Sequence, residues 1–240
     1  SGNIPFAVLK VSGIGSSELL EKVQLGEDLS LHEKEAFDRI QKRLDNLCNY
    51  SYKKDIPLFI DAEESWIQGV IDSLAYQMMA RYNREKPIVY NTFQCYKTET
   101  LRELKSAFLT AKEKGYRLGC ELVRGAYMER ARVRARESKY CDPVHKSKAS
   151  TDSDYNAAID FCLDRIDCMA VCLGTHNEYS STYCLQKMDK LGIQRNDPKI
   201  WFAQLLGMSD NITFNLAKGG YNVAKYVPYG PLEAVTPYLF

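Results

Sequence analysis

Seven apolar, β-rich runs separated by amphipathic stretches constrain this chain more than any other feature. The runs are PFAVLKVSGI (5–14), IPLFIDAEE (56–64), PIVYNTFQCY (87–96), YRLGCELVRGAY (116–127), CMAVCLGTHN (168–177), KIWFAQLLGM (199–208) and YNVAKYVPYG (221–230). Near-continuous apolar strands joined by helical crossovers imply a parallel sheet with both faces covered. Between the runs, Phe37, Ile40, Leu44 and Leu47 form one helical stripe. Ile67, Val70, Ile71, Leu74 and Met78 form a second, and Leu101, Leu104 and Phe108 a third. Gly115 and Gly192 are placed to end helices, and the long 16–55 connection reads as two helices broken near Gly26. No low-complexity linker divides the chain, so a single domain over 1–240 is expected.

Polar residues recur at the C-terminal ends of these strands: Asp61 with Glu63 and Glu64, Gln94, Arg124, His176 with Asn177, Gln204, and Tyr226. An open doubly wound sheet would gather them at one switch point. Here nearly every strand contributes, as in a (β/α)8 TIM-type barrel, with seven of the eight strands present in this chain.

A net charge of +1 with mixed signs gives no footprint for nucleic acid or for coating a membrane. No apolar run approaches the ~20 residues of a spanning helix, so membrane association is expected to be at most peripheral. The eight cysteines are irregularly spaced, and Cys120, Cys168 and Cys172 fall in apolar runs. They read as reduced, buried thiols of an intracellular protein; no paired C-x-x-C accompanies Cys168, Cys172 and His176 to suggest zinc.

The strand ends offer specific chemistry. Asp61 follows Leu-Phe-Ile and is expected at the barrel mouth, whereas Glu63 and Glu64 read as helix-capping and first-turn charges. Lys10, inside AVLKVSG, needs an anionic partner, and Asp61 is the candidate. A structural ion pair and a substrate-handling pair are equally consistent with that placement. Lys10 or Lys225 as the Schiff-base amine of a barrel lyase is a distinct alternative, although a neighbouring carboxylate raises a lysine pKa rather than lowering it. His176 is the one histidine placed for chemistry or cofactor contact, or for a helix cap. Gln94 and Gln204 are amides in apolar runs that need partners, which an amide-bearing heterocycle would supply. Neither G-x-G-x-x-G nor a P-loop occurs; SGIGSSE (12–18) matches neither spacing.

In this order, VLKVSGIG (8–15), IDAEE (60–64), NTFQCY (91–96), LVRGAY (122–127), THNE (175–178), QLLGM (204–208) and KYVPYG (225–230) resemble proline dehydrogenase. The likeness spans almost the whole chain. It implies an FAD-dependent (β/α)8 barrel that oxidises L-proline to Δ1-pyrroline-5-carboxylate and passes electrons to a membrane quinone. It implies that Gln94, Arg124, Gly125, Ala126, Thr175 and His176 contact FAD, with Gly125-Ala126 letting the cofactor lie close to the backbone. Lys10 and Asp61 would belong to the substrate end, Tyr226 would pack beside the proline ring, and Leu205 would give it an apolar wall. Hydroxyproline is a close substrate variant. The implied setting is intracellular, cytoplasmic or peripheral to an inner bacterial or mitochondrial membrane.

Three departures accompany the resemblance. The family usually begins with one more βα unit, and after the PYGP turn and Pro-Tyr-Leu (237–239) it carries a helix whose arginines hold the substrate carboxylate. The chain is therefore expected to be part of a longer polypeptide, and weak or inactive alone; an inactive barrel fragment is the further alternative. Some members also place a flavin-contacting arginine where Glu121 stands, and a glutamate is not expected to donate that hydrogen bond.

Overall fold

The structure is a computed structural model and describes residues 4–230. All seven expected strands form: β1 (Ala7–Leu9), β2 (Leu58–Ile60), β3 (Val89–Gln94), β4 (Leu118–Val123), β5 (Met169–Gly174), β6 (Ile200–Leu205) and β7 (Val223–Tyr226). They pair in sequence order, every neighbour parallel, as one sheet. Eight α-helices cross over between them among the described residues: α1 (Ser17–Leu25), α2 (Leu31–Lys54), α3 (Ser65–Tyr82), α4 (Thr100–Lys114), α5 (Met128–Glu137), α6 (Lys148–Leu163), α7 (Glu178–Lys190) and α8 (Asp210–Lys218).

Local chemistry sets the helix limits. Gly26 and Gly115 close α1 and α4 in the left-handed conformation that glycine adopts without a Cβ penalty. Ser30 and Glu33 form a reciprocal capping box that starts α2. The stripe expected on α3 is buried throughout, from Ile67 to Met78. On α2 the buried line runs Ile40, Leu44, Cys48, and Leu47 is exposed. The difference follows from the helical repeat, since residues four apart stack on one face and Leu47 lies to one side of it.

The main core lies between the sheet and the helices, with Leu74, Met79, Leu104, Leu118 and Phe202 among its buried members. A smaller apolar plug, Phe59, Tyr90, Ala170 and Cys172 with Phe6, Trp201 and Ala203 packed on it, fills the concave side. The Phe6 ring, just before β1, is centred 4.4 Å from Phe59 on β2 and 4.9 Å from Trp201 on β6. A sheet whose first strand meets its sixth is curled round on itself, which is the TIM-type barrel expected, shown here by seven strands. The Pro-Tyr-Leu run at 237–239 lies outside the described residues. Of the cysteines named above, Cys120 and Cys172 are buried as expected, whereas Cys168 precedes β5 and is exposed.

Candidate active site at the barrel mouth

The C-terminal ends of β1 and β2 bring Lys10 and Asp61 into an ion pair at 2.7 Å. Lys10 Nζ also donates to the Tyr127 hydroxyl at 3.2 Å and to the Ala62 carbonyl at 3.3 Å. Burial opposes the ammonium charge, but Asp61 and the Tyr127 hydroxyl outweigh it and hold Lys10 above the ordinary lysine range. A Schiff-base amine must be deprotonated, so this environment works against that role. Tyr127, which closes the LVRGAY motif, carries no sequence signal of its own; only its place in the motif could have marked it.

Glu63 and Glu64 do other work than the capping expected of them. Glu63 is 2% exposed and accepts from the Ser12 amide at 3.0 Å and from the Ser12 hydroxyl, fastening the turn after β1 to the end of β2. Glu64 stands at the start of α3 without a side-chain cap bond and pairs with Arg130 of α5 at 2.5 Å. Both carboxylates satisfy partners distant in sequence, which local capping preferences do not register.

Gln94, at the end of β3, is buried, and its Nε2 donates to the Glu63 carbonyl at 2.9 Å. Arg124, just past β4, distributes its guanidinium over two helices. Nε donates to Asp152 of α6 at 2.7 Å, one terminal nitrogen to the Thr175 hydroxyl at 2.8 Å, and the other to Ser180 of α7 at 3.0 Å. The guanidinium also lies 4.4 Å from the centre of the Tyr155 ring. Thr175, 5% exposed, accepts from the Asn177 amide as well, and Asn177 caps α7.

Gly125 has φ +115°, a backbone region that side chains rarely adopt. A Cβ there would stand about 2.0 Å from the Tyr96 ring and 3.0 Å from Gln94 Oε1. The close approach that this glycine permits within the chain is thus to Tyr96, while Gly125 and Ala126 are themselves exposed.

His176 is exposed, and its Nδ1 is 2.9 Å from the Ser209 hydroxyl. Burial and then the charge of Lys225 hold its pKa below the ordinary histidine value. Lys225 pairs with Asp210 at 2.7 Å and donates to the Met208 carbonyl. Leu205 and Tyr226 face one another in the β6–β7 register, each half-buried. Gln204 is buried, and its amide finds the partners it needs within the chain. It accepts from Thr213 of α8 at 2.8 Å and donates to the Thr175 carbonyl at 3.2 Å, so its amide is used between strand and helix.

Glu121 is 8% exposed in β4, with Thr92 of β3 donating to its Oε2 at 2.9 Å. Burial first and the charge of Asp61 second push its carboxyl up to about 8, against the pull of Thr92 and Lys10. A carboxyl in that state is a neutral acid near pH 7, and a neutral acid has an O–H to donate.

The sequence pattern described as proline dehydrogenase matches residues 6–240. Among curated proteins, the chain is 39% identical over 217 residues to proline dehydrogenase 1, mitochondrial, of Drosophila melanogaster, covering 86% of this chain and 32% of that protein. It is 37% identical over 204 residues to the Homo sapiens protein of the same name, covering 84% and 34%. It is 34% identical to the carbapenem antibiotics biosynthesis protein CarD of Pectobacterium carotovorum subsp. carotovorum, covering 99% and 61%. Among solved structures, proline utilization A from Bdellovibrio bacteriovorus, inactivated by N-propargylglycine, superposes with a TM-score of 0.84 at 20% identity. That match covers 97% of this chain and 23% of the other. The chain spans about a third of the length of the first curated relatives it matches.

Proposed function

The chain belongs to the proline dehydrogenase family, and from that premise we propose that it forms the flavin-bearing barrel of an enzyme oxidising L-proline to Δ1-pyrroline-5-carboxylate. The observation that supports this most directly is the Lys10–Asp61 pair at the mouth, 2.7 Å apart and joined to Tyr127. A zwitterionic amino acid carries one charge of each sign, and such a pair offers each its complement.

FAD is the cofactor in this reading, and the residues present suit it. A flavin has a ring of alternating donors and acceptors and a phosphate-bearing tail. Gln94 offers a buried amide, Thr175 and His176 offer short polar contacts, and Arg124 offers a cation fixed by Asp152. When bound, the flavin supplies the two-electron acceptor for hydride transfer.

The protein's own residues do the positioning. Lys10 stays charged and so acts by electrostatics rather than as a nucleophile. Asp61 fixes that charge. Leu205 and Tyr226, opposed across β6 and β7, supply an apolar and aromatic wall for a five-membered ring. Hydroxyproline differs by one ring hydroxyl, so discrimination between the two rests on a single polar contact at that wall.

Quinone as the onward acceptor belongs to the same proposal, met at the surface, since no helix among the described residues is long and apolar enough to cross a membrane. An intracellular site, against a mitochondrial or bacterial inner membrane or in the cytoplasm, accords with the mitochondrial designation of the animal relatives. A nucleic-acid partner has no place in this reading.

The test is anaerobic. The protein is loaded with FAD, L-proline is added, and the absorbance of the oxidised flavin is followed. Bleaching that depends on proline, slow in keeping with the weak activity expected of the chain alone, is the expected result. Tightly bound flavin that stays oxidised at saturating L-proline and hydroxyproline would sink the substrate assignment, and failure to bind flavin would sink the cofactor assignment.

A further inference from the structure

Two polar residues, Gln68 and Asp72, stand one helical turn apart in the otherwise apolar stripe of α3. Asp72 Oδ1 accepts from Gln68 Nε2 and from Asn91 Nδ2 of β3, each at 2.8 Å. Gln68 Oε1 in turn accepts from the Glu63 amide at 2.8 Å, and the Glu63 carbonyl accepts from Gln94 Nε2 at 2.9 Å. Glu63, Gln68, Asn91 and Gln94 are all buried. A continuous run of hydrogen bonds leads from α3, on the helix side of the sheet, to the amide of Gln94 at the mouth.

Each donor and acceptor along this run fixes the next. The Glu63 amide can only donate, so Gln68 turns its oxygen to it and its nitrogen to Asp72. The Glu63 carbonyl can only accept, so Gln94 turns its nitrogen inward. What Gln94 has left is Oε1, which accepts no bond from the described residues and lies 3.0 Å from where a Cβ on Gly125 would stand. The same turn carries Asp61 and the Ala62 carbonyl, both of which hold Lys10. Stability alone does not account for the cluster. Asn91 Oδ1 is buried without a partner among the described residues, and apolar side chains of similar shape would fill the space between α3 and β3 without that penalty.

We propose that Asp72 and Gln68 are positioning residues, which act through the Glu63 backbone to hold Gln94 with its carbonyl oxygen outward, so that the mouth offers an acceptor there to an N–H of a flavin-type ring. The identity of the ligand rests on the flavin reading above. Asp72 works in this as an acceptor rather than as a charge, because both bonds to it come from neutral amides. Asparagine, with an oxygen in the same place, should serve almost as well, and alanine should not.

Asp72→Ala and Asp72→Asn are compared with wild type and with Leu163→Ala, a main-core control where α6 runs into β5, at the opposite end of the barrel from the mouth. FAD affinity, read by quenching of flavin fluorescence, is expected to fall about tenfold in Asp72→Ala, to recover in Asp72→Asn and to hold in Leu163→Ala. The absorption band of the bound flavin should shift only in Asp72→Ala. In the flavin-free protein, hydrogen exchange at the Glu63 amide should quicken in Asp72→Ala by more than at the other amides of the sheet. Wild-type FAD affinity in Asp72→Ala, an equal loss in Leu163→Ala, or no rescue by Asp72→Asn overturns the positioning role while leaving the cofactor intact. Unchanged exchange at Glu63 overturns it whether or not flavin binds. Absence of flavin binding in the wild type overturns the cofactor reading and with it the ligand assigned here. Should Asp72→Ala not fold, Gln68→Met removes the bond to the Glu63 amide at nearly the same volume and carries the same expectations.

Discussion

The Tyr96 ring fills the space that a side chain on residue 125 would need. Gly125→Ala would put its Cβ about 2.0 Å from that ring while holding alanine at φ +115°. Strain of this kind costs about 1–3 kcal/mol before the clash is counted. The variant is expected to unfold at lower denaturant, by roughly 2 kcal/mol or more. Tyr96→Ala in the same chain should relieve the clash but not the backbone strain. Denaturant unfolding of the single and double variants checks this, and a Gly125→Ala protein as stable as wild type would refute it.

Lys10→Met strands Asp61 at the mouth. The pair is half-buried, so its loss is expected to cost roughly 1–3 kcal/mol, between the values for exposed and buried pairs. Proline-dependent flavin bleaching should be abolished. Because the native pKa of Lys10 is raised, its stabilisation is fully present below the unfolded lysine value of about 10.4 and fades only as pH climbs through the native one. Between pH 6 and 9 the wild-type contribution from this pair should therefore be constant, and thermal unfolding across that range tests it.

Glu121, unlike Lys10, gives a slope at accessible pH. Its native carboxyl is raised from 4.5 to about 8, so the folded state holds a proton that the unfolded chain has released. Its contribution is fully present below about pH 4.5 and is lost progressively up to about pH 8, at no more than about 1.4 kcal/mol per pH unit. Glu121→Gln should flatten that limb of the stability curve. Chemical unfolding at pH 5, 6, 7 and 8 provides the comparison, and parallel curves would rule the effect out.

Arg124→Lys keeps the charge but not the planar fork. Bonds to Asp152, Thr175 and Ser180 leave from three different nitrogens, and an ammonium cannot span them. A loss of roughly 1.5–3 kcal/mol is expected, the worth of a charged hydrogen bond. Hydrogen exchange should report it as earlier opening of the first turns of α6 and α7. A calorimetric titration with FAD should show weaker binding.

The strands are legible because each is a short, unbroken apolar run bounded by turn residues, and their count gives the barrel. Lys10 and Asp61 are legible because a charge inside such a run demands an opposite charge nearby. The facing of Gln204 follows strand alternation. Trp201, Ala203 and Leu205 alternate with it, and Trp201 and Ala203 pack on the interior plug, so Gln204 belongs to the helix side. Glu63 and Tyr96 are not legible. Ser12, the partner of Glu63, is 51 residues away, and Tyr96 meets Gly125 only because β3 and β4 lie side by side. Glu121 stands out in the sequence as a charge in an apolar strand, but the upward push on its carboxyl comes from burial and Asp61, which only the fold brings together.

Strict sequence order in the sheet bears on how the chain is made. Each strand pairs with the one synthesised just before it, so a polypeptide leaving the ribosome always finds its ladder partner already in place. No strand has to wait for a distant one, and loop closure at each step spans only one βα unit. The mouth fills in the same order: the Lys10–Asp61 pair becomes available with the second strand, and the Tyr226 side arrives with the seventh. A nascent chain would acquire its charged pair early and its aromatic wall late, so ligand binding can act only on a nearly finished molecule.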